Sequence, residues 1–334
     1  MINSLMSSMI SYVKTFYDTI KLKKSAIIVI VKLLIASGLI YYLIYYVNLK
    51  DIADVFAKAD YRFITLAMLL TFINITLQYF KWKISCSAIL KETDRKKIFY
   101  SLFYGFAAGP FTPARVGEYF GRALEFKNKS MVSITVATLV DKFFLLIPIT
   151  FFGSIGSILF LKDYYHVSSY ITVSLFVVIF ILFYILIMLM ISPSIWHNFM
   201  LKRMNNSKRL HKFYSEILLL RELDGKFFVK MFLISIVFYS CFIIQYAILA
   251  IGFSQHGNFI DFIWAGNMVM FAKTIIPQIS FGDLGVREGA SVFFLTKMGQ
   301  TSSTGFDSGI SLFGINVLLP AIIGMILLIK KNNA

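Results

Sequence analysis

Long apolar runs recur along this chain, and they constrain its fold more than any other feature. Six of them can cross the roughly 30 Å hydrocarbon core of a bilayer as helices. They are 25–47, 61–80, 131–160, 168–191, 227–252 and 309–329. The third is longer than one crossing needs, so we expect it to be tilted or broken. Because 58% of the residues are hydrophobic, lipid must be the solvent for much of the chain. The sequence therefore predicts an all-α polytopic membrane protein.

The net charge of +16 is unevenly shared among the loops between these runs. Basic residues cluster at 14–24, 81–97, 202–226 and 330–331, whereas the loops at 50–62 and 162–163 balance Lys and Arg with Asp. Alternation of this kind follows the positive-inside rule and favours it over nucleic-acid binding. It predicts a multi-pass protein of the cell (inner, cytoplasmic) membrane with both termini cytoplasmic. Anionic lipid headgroups are the expected partners of the basic loops.

The chain is predicted to form a single transmembrane domain, residues 25–330, after a cytoplasmic amphipathic N-terminus at 1–24. Its first apolar run is expected to be an uncleaved anchor. The basic stretch 192–226 and the shorter 49–60 have the pattern of amphipathic helices that lie on the membrane surface. The four histidines and two cysteines show neither metal-ligand spacing nor a disulfide framework. We therefore expect no metal and no cofactor.

Two segments, 98–126 and 259–299, are interrupted within their apolar stretch. Proline and glycine interrupt them at Gly109, Pro110 and Pro113, and at Pro277 and Gly282. Proline removes a backbone donor and clashes with the preceding turn, so each segment is predicted to form a helix, a break and a second helix. Loop charges place both ends of the first segment inside and both ends of the second outside. This arrangement predicts about six full spans and two re-entrant hairpins in an inverted repeat. The alternative is eight full spans.

The two break points resemble each other: "GPFTPARVGEYFGRA" at 109–123 and "IPQISFGDLGVREGA" at 276–290. In each, a proline is followed by a glycine, Gly117 or Gly285, and by an acid and an arginine. Free N–H groups at a broken helix attract anions, phosphate above all, and arginine adds a bidentate phosphate donor. The candidate headgroup-binding residues are Arg115, Glu118, Arg122, Lys273, Arg287 and Glu288. We hypothesise that both tips meet within the membrane around a lipid phosphate. The alternative is that the Arg–Glu pairs only join the helices.

Further residues of these segments have expected roles in coupling and movement. Asp141 interrupts an apolar run, and an intramembrane carboxylate is a functional candidate by default. It could pair with an arginine of the first hairpin or carry a coupling proton, while Lys142 could simply extend to the interface. Lys273 could assist phosphate binding or pair with Asp283. The expected hinges are Gly109, Gly117, Gly282 and Gly285.

The segments "TPARVGEYFGRA", "VATLVDKFF" and "IPQISFGDLGVREGA" resemble the signature segments of the flippase-like family. That family comprises the membrane domain of lysyl-phosphatidylglycerol synthases and its stand-alone relatives, and the resemblance covers roughly 25–330. It implies an inner-membrane protein that binds and translocates an anionic or aminoacylated phospholipid or an isoprenoid-linked lipid. Family positions carry over to Pro113, Arg115, Gly117, Glu118, Arg122, Asp141, Pro277, Gly282, Gly285, Arg287 and Glu288. Asp283 and Ala114 depart from glycines that are usual in the family.

The leading prediction is a flippase, not an enzyme, whose partner is a phospholipid or an isoprenoid-phosphate lipid. An enzyme of glycosyl transfer or phosphatase type acting on a polyprenyl phosphate is an alternative, but no acidic metal-binding pair or His-rich phosphatase motif is seen. A third possibility is a partner subunit that presents lipid to another enzyme. A homo-oligomer is compatible with each of these functions. Lysyl transfer is not expected, because the soluble transfer domain of the larger relatives is absent from this sequence.

Overall fold

A computed structural model describes residues 54–55, 57–112, 115–191, 223–254, 256–276 and 284–332. Several predictions lie outside these residues. They are the N-terminus 1–24, the first span 25–47, half of the surface stretch 49–60, nearly all of the surface stretch 192–226, the break residues Pro113, Pro277 and Gly282, and the coupling candidate Asp283.

The described part of the chain is helical and contains no strand. Its helices are α1 (Tyr61–Ser85), α2 (Arg95–Ala108), α3 (Gly117–Ala123), α4 (Met131–Tyr165), α5 (Ser169–Ile191), α6 (Gly225–Phe253), α7 (Phe259–Ile275), α8 (Val286–Lys297), α9 (Ser302–Phe313) and α10 (Leu319–Asn332). A π-helical segment, Cys86–Leu90, continues α1, and another, Gly314–Leu318, joins α9 to α10.

Within the described ranges, five helical stretches are long and apolar enough to cross a membrane. They are Tyr61–Leu90, Met131–Tyr165, Ser169–Met188, Gly225–Phe253 and Ser302–Lys331. Each matches a predicted span, so the chain is an all-α polytopic membrane protein. The run 131–160 is unbroken, because α4 continues through Pro148 for 35 residues. At 1.5 Å per residue α4 is about 52 Å long, well beyond the roughly 30 Å that one crossing needs.

Polar N-cap residues set where many of these helices begin. Asp60, Asp94, Ser130, Asp224, Asn258 and Thr301 each accept a hydrogen bond from a backbone N–H of the first turn. Such caps satisfy backbone donors that have no partner within the helix. The short polar sequences between apolar runs therefore define helix starts as well as loops.

The first interrupted segment folds as a hairpin of α2 and α3. The two helices run antiparallel, with Ser101 Oγ donating to the Arg122 carbonyl oxygen over 2.9 Å. They approach so closely that a Cβ on Gly121 would overlap the Tyr104 carbonyl oxygen. With 14 and 7 residues, neither helix is long enough to cross a bilayer alone.

The second interrupted segment is built in the same way from α7 and α8, which have 17 and 12 residues. Its two ends meet, because the Gln300 side chain after α8 donates to the His256 carbonyl oxygen before α7 over 2.7 Å. Even α7, at about 25 Å, is shorter than the hydrocarbon core. Two hairpins that return to their starting ends support the predicted arrangement over eight full spans.

The same order of elements occurs twice, as span, hairpin and span. The first unit is α1, α2–α3 and α4, and the second is α6, α7–α8 and α9–α10. The corresponding helices α1 and α6 pack antiparallel: the Asp60 N–H donates to the Gly252 carbonyl oxygen at one end, and Ser85 lies against Met231 at the other. Among the described residues between the units, helix α5 adds one crossing, which is consistent with the inversion. The largest apolar core forms around α6 and includes the fully buried Tyr246.

The two units are interlocked through their hairpins. Helix α2 of the first unit packs on α10 of the second, where a Cβ on Gly324 would overlap the Phe103 carbonyl oxygen. Reciprocally, α7 packs on α4, with Asn267 Nδ2 donating to the Phe152 carbonyl oxygen over 2.9 Å. Each returning helix packs on the last span of its own unit; Ser291 of α8, for example, donates to the Gly305 carbonyl oxygen. Both hairpins are therefore held against the last spans of the two units.

Candidate anion site at the first hairpin

Six charged side chains converge where the first hairpin meets α1 and α4. This charge cluster consists of Lys81 on α1, Arg115 at the hairpin tip, Glu118 and Arg122 on α3, and Asp141 and Lys142 on α4. It brings together four of the predicted site residues from separate segments: Arg115, Glu118, Arg122 and Asp141.

The inner part of the cluster is buried and joins three helices. Arg122 Nη2 lies 2.6 Å from Glu118 Oε1, and Arg122 Nη1 lies 3.2 Å from Asp141 Oδ2. Lys81 Nζ lies 3.5 Å from Asp141 Oδ1 and donates to the Asp141 carbonyl oxygen over 2.9 Å. The Arg122 guanidinium also stacks on the Trp82 ring at 4.1 Å. Of the two roles considered for Asp141, the ion pair with a hairpin arginine is thus present in the structure.

The outer part of the cluster is accessible and is centred on a single carboxylate oxygen. Glu118 Oε2 lies 3.0 Å from Lys142 Nζ and 3.6 Å from Arg115 Nε. The Lys142 and Arg115 side chains are 30% and 26% exposed, whereas the four inner side chains are at most 6% exposed. Arg115 and Lys142 are therefore the cations of the cluster that an entering anion can reach.

The backbone at the hairpin tip is unusual at Arg115. Its φ is 55°, in the left-handed region that residues other than glycine rarely adopt. Such conformations cost on the order of 1–3 kcal/mol and persist where the surrounding structure imposes them. The arginine side chain thereby leaves the tip next to Glu118.

One described backbone N–H near each break is bonded within the chain. The Gly117 N–H donates to Thr112 Oγ1 over 2.6 Å, and the Gly285 N–H donates to Glu288 Oε2 over 2.7 Å. The side chains of Thr112 and Glu288 therefore occupy these two donors. The cationic side chains of the charge cluster all lie within the described residues, and they are the candidates for anion binding.

Two candidate residues of the second hairpin lie against the last span of their own unit. Arg287 and Glu288 are buried on α8, and the Arg287 guanidinium lies over the Phe313 ring at 5.5 Å. Helix α8 thus reaches the end of α9, whereas α2 packs on α10 near Gly324. The segment Gly314–Leu318 lies between these two contacts. A meeting of the two tips around one ligand stays a prediction.

Sequence reasoning gave two cluster residues other roles. Lys81 was assigned to the basic loop after the second run, but α1 continues to Ser85 and buries it. For Lys142, extension to the interface is one possibility that the sequence offers; in the structure the side chain is partly exposed and binds Glu118. The pattern of apolar runs does not indicate that either lysine belongs to the charge cluster. For Lys81, the sequence could have indicated this only if the second span had been extended as a helix through residues 81–85.

Comparison with known proteins agrees with a membrane-embedded protein. The family profile described as the lysylphosphatidylglycerol synthase TM region matches residues 29–324. The chain belongs to this family. Membership implies a membrane-embedded protein that acts on phospholipid, in lipid modification or flipping. Among curated proteins, none matches the chain.

Proposed function

We propose that this member of the lysylphosphatidylglycerol synthase TM region family is a flippase that binds a phosphate-bearing lipid headgroup at the charge cluster. The observation that carries the proposal is the pair of accessible cations, Arg115 and Lys142, held on one buried carboxylate in a hairpin too short to cross. Arginine and lysine bind phosphate through charge-assisted hydrogen bonds. The loop charges put this hairpin on the cytoplasmic side of the inner membrane.

The outer and inner residues of the charge cluster have different roles in this proposal. In the absence of a ligand, Glu118 Oε2 balances Arg115 and Lys142. An entering phosphate competes with that oxygen and takes over hydrogen bonds from both cations. The inner residues Arg122, Asp141 and Lys81 meanwhile keep α3 fixed against α4 and α1. The headgroup is thus held within the membrane boundary while its acyl chains stay in lipid.

The inverted repeat supplies a route to the opposite leaflet. The second hairpin has the reverse orientation, and alternating access in inverted repeats comes from movement of one repeat against the other. Both long spans that hold the hairpins are irregular near their middle: α4 at Pro148, and the last span at the π-helical segment Gly314–Leu318. Prolines and π-segments are the usual places where helices bend. We propose that the hairpins move at these two positions.

Leaflet exchange of fluorescent phospholipids in proteoliposomes tests the proposal. The double variant Arg115→Gln/Lys142→Gln removes both accessible cations and is expected to slow exchange at least about tenfold, since a charged hydrogen bond contributes roughly 1.5–3 kcal/mol. Lys127→Gln, which removes an exposed lysine after the same hairpin, is the matched control and should leave the rate unchanged.

Two results would contradict this function. Exchange by the double variant at the wild-type rate would show that the charge cluster is not on the lipid path. A wild-type protein that moves no lipid of any class would instead favour an enzyme acting on a polyprenyl phosphate or a lipid-presenting subunit.

A further inference from the structure

The charge cluster contains more positive than negative charge among its described residues. Its inner four groups, Lys81 and Arg122 against Glu118 and Asp141, balance one another. The two outer cations then have no carboxylate of their own, because the one they share also binds Arg122. The cluster as a whole carries an excess of two positive charges. Uncompensated charge is costly at membrane depth, so such a site is most stable with a doubly charged anion.

The excess lies where a single headgroup can reach it. Arg115 Nε and Lys142 Nζ are 3.6 and 3.0 Å from the same oxygen, so these two atoms are at most about 6.6 Å apart. Arg115 Nε itself is buried, so a phosphate would reach the partly exposed Arg115 side chain through its terminal N–H groups, and Lys142 through Nζ. The left-handed backbone at Arg115 keeps this side chain at the tip, beside the carboxylate that the phosphate would displace.

We propose that the site selects a lipid phosphomonoester, whose headgroup carries close to two negative charges, over a phosphodiester and over an aminoacylated headgroup. This rests on the proposed function, because it names the substrate class of the same site. A phosphodiester has one negative charge and leaves one outer cation unbalanced. An aminoacylated headgroup adds an ammonium group to a site that already has an excess of positive charge, and it is repelled.

Competitive lipid binding to the purified protein in phosphatidylcholine nanodiscs, read by native mass spectrometry, tests this selectivity. The probes are phosphatidic acid, phosphatidylglycerol and lysyl-phosphatidylglycerol with the same acyl chains. At about pH 8, phosphatidic acid should bind at least about tenfold more tightly than phosphatidylglycerol, and lysyl-phosphatidylglycerol should bind most weakly. The second pKa of a phosphomonoester is about 6, so at about pH 5 phosphatidic acid carries one negative charge, like phosphatidylglycerol. The affinities of these two lipids should then become nearly equal.

Removing one outer charge should change the preference rather than abolish binding. Lys142→Gln leaves an excess of one charge, so phosphatidic acid should lose more affinity than phosphatidylglycerol and the preference between the two lipids should disappear. Arg115→Gln removes the same charge from the other side and should behave alike if the first variant folds poorly. Lys127→Gln should keep the wild-type ratio, and the pH series on the wild-type protein needs no variant.

The outcomes separate this inference from the proposed function. Equal binding of phosphatidic acid and phosphatidylglycerol at about pH 8, or tightest binding of the lysyl lipid, would overturn the phosphomonoester class and leave lipid binding intact. Binding of no lipid would overturn the proposed function itself. Displacement of phosphatidic acid by inorganic phosphate at equal concentration would assign the site to a free anion and overturn the lipid as its source.

Discussion

At the scale of single residues, Arg115 and Arg122 lie on one hairpin but in opposite environments. Arg122 is buried between two carboxylates and the Trp82 ring, whereas Arg115 is partly exposed and shares its carboxylate with two other cations. Removing one partner of a buried ion pair leaves an uncompensated charge, while an exposed pair contributes little. The two arginines should therefore differ in stability and in ligand binding.

Arg122→Gln is expected to destabilise the protein by about 3–5 kcal/mol, because Glu118 and Asp141 lose the buried guanidinium that binds both of them. Arg115→Gln should change stability by less than about 1 kcal/mol. Thermal unfolding in detergent measures both, with Lys127→Gln as the control for loss of one charge. Equal losses for the two arginine variants would contradict the division into inner and outer residues.

At the scale of helical elements, close helix contacts through glycine hold both the hairpin and the interlocked units. Gly121 lies against the Tyr104 carbonyl oxygen within the first hairpin, and Gly324 lies against the Phe103 carbonyl oxygen between α10 and α2. Small residues permit such approach between helices in membranes. Helix α2 is therefore flanked by glycine contacts on two of its sides.

Gly121→Ala should force α2 and α3 apart and cost about 1–3 kcal/mol, since its Cβ would meet backbone and not a movable side chain. The control is Gly225→Ala at the start of α6, where nothing lies within 4 Å of the added Cβ. It should be neutral, or stabilising by about 0.4–1 kcal/mol. Chemical unfolding of both variants measures the difference, and a tolerated Gly121→Ala would disprove the close approach of the two helices.

A buried amide cluster joins the two corresponding spans to the π-helical segment. Gln245 of α6 donates to Thr71 and to the Ala67 carbonyl oxygen, and its Oε1 accepts from Asn74 of α1 and from Asn316. Asn316 belongs to the Gly314–Leu318 segment. The helix irregularity between the hairpins is thus fixed to α1 and α6 by side-chain hydrogen bonds.

Gln245→Leu should destabilise the fold by about 1–3 kcal/mol because it removes the acceptor that Asn74 and Asn316 share, which leaves Asn74 only its 3.4 Å hydrogen bond to Asn316 Oδ1. Replacing Asn74, Gln245 and Asn316 together by leucine should recover part of that loss, since no amide partner is then left unsatisfied. Unfolding in urea compares the two variants. A triple variant less stable than the single one would show that the three amides contribute net stabilisation.

At the scale of the whole molecule, the inverted repeat connects the topology of the chain with the proposed movement of the hairpins. Two units of span, hairpin and span are related by antiparallel α1 and α6, and each hairpin contacts the last span of the other unit. Movement of one hairpin therefore changes contacts in both units. This arrangement requires that the hairpin ends face opposite sides of the membrane.

Residues 127–130 should accordingly be cytoplasmic, and the loops 254–258 and 298–301 external; the rest of the predicted external stretch 301–308 is instead the largely buried first part of α9. Single cysteines placed in these loops on a Cys86→Ala/Cys241→Ala background can be labelled with a membrane-impermeant maleimide in intact cells and in inverted vesicles. Labelling of residue 128 from outside would contradict the orientation of the first hairpin and favour a full crossing. Labelling of each loop from its expected side would support the predicted orientation of both hairpins.

The sequence by itself determined the class of fold, five described spans and the two interrupted segments. These properties are local: span length follows from a continuous apolar run, and a break follows from the proline or glycine within it. It also singled out Arg115, Glu118, Arg122 and Asp141, because charges are rare within apolar segments.

Only the tertiary structure decided how these charges pair and which of them a ligand can reach. Lys81 meets Asp141 from 60 positions away in the chain, and the exposed cation beside Arg115 is Lys142 from another helix. It also decided that the Gly117 and Gly285 N–H groups are bonded by Thr112 and Glu288. Such contacts depend on the rotation and spacing of packed helices, which are set by side chains distant in sequence and leave no local pattern.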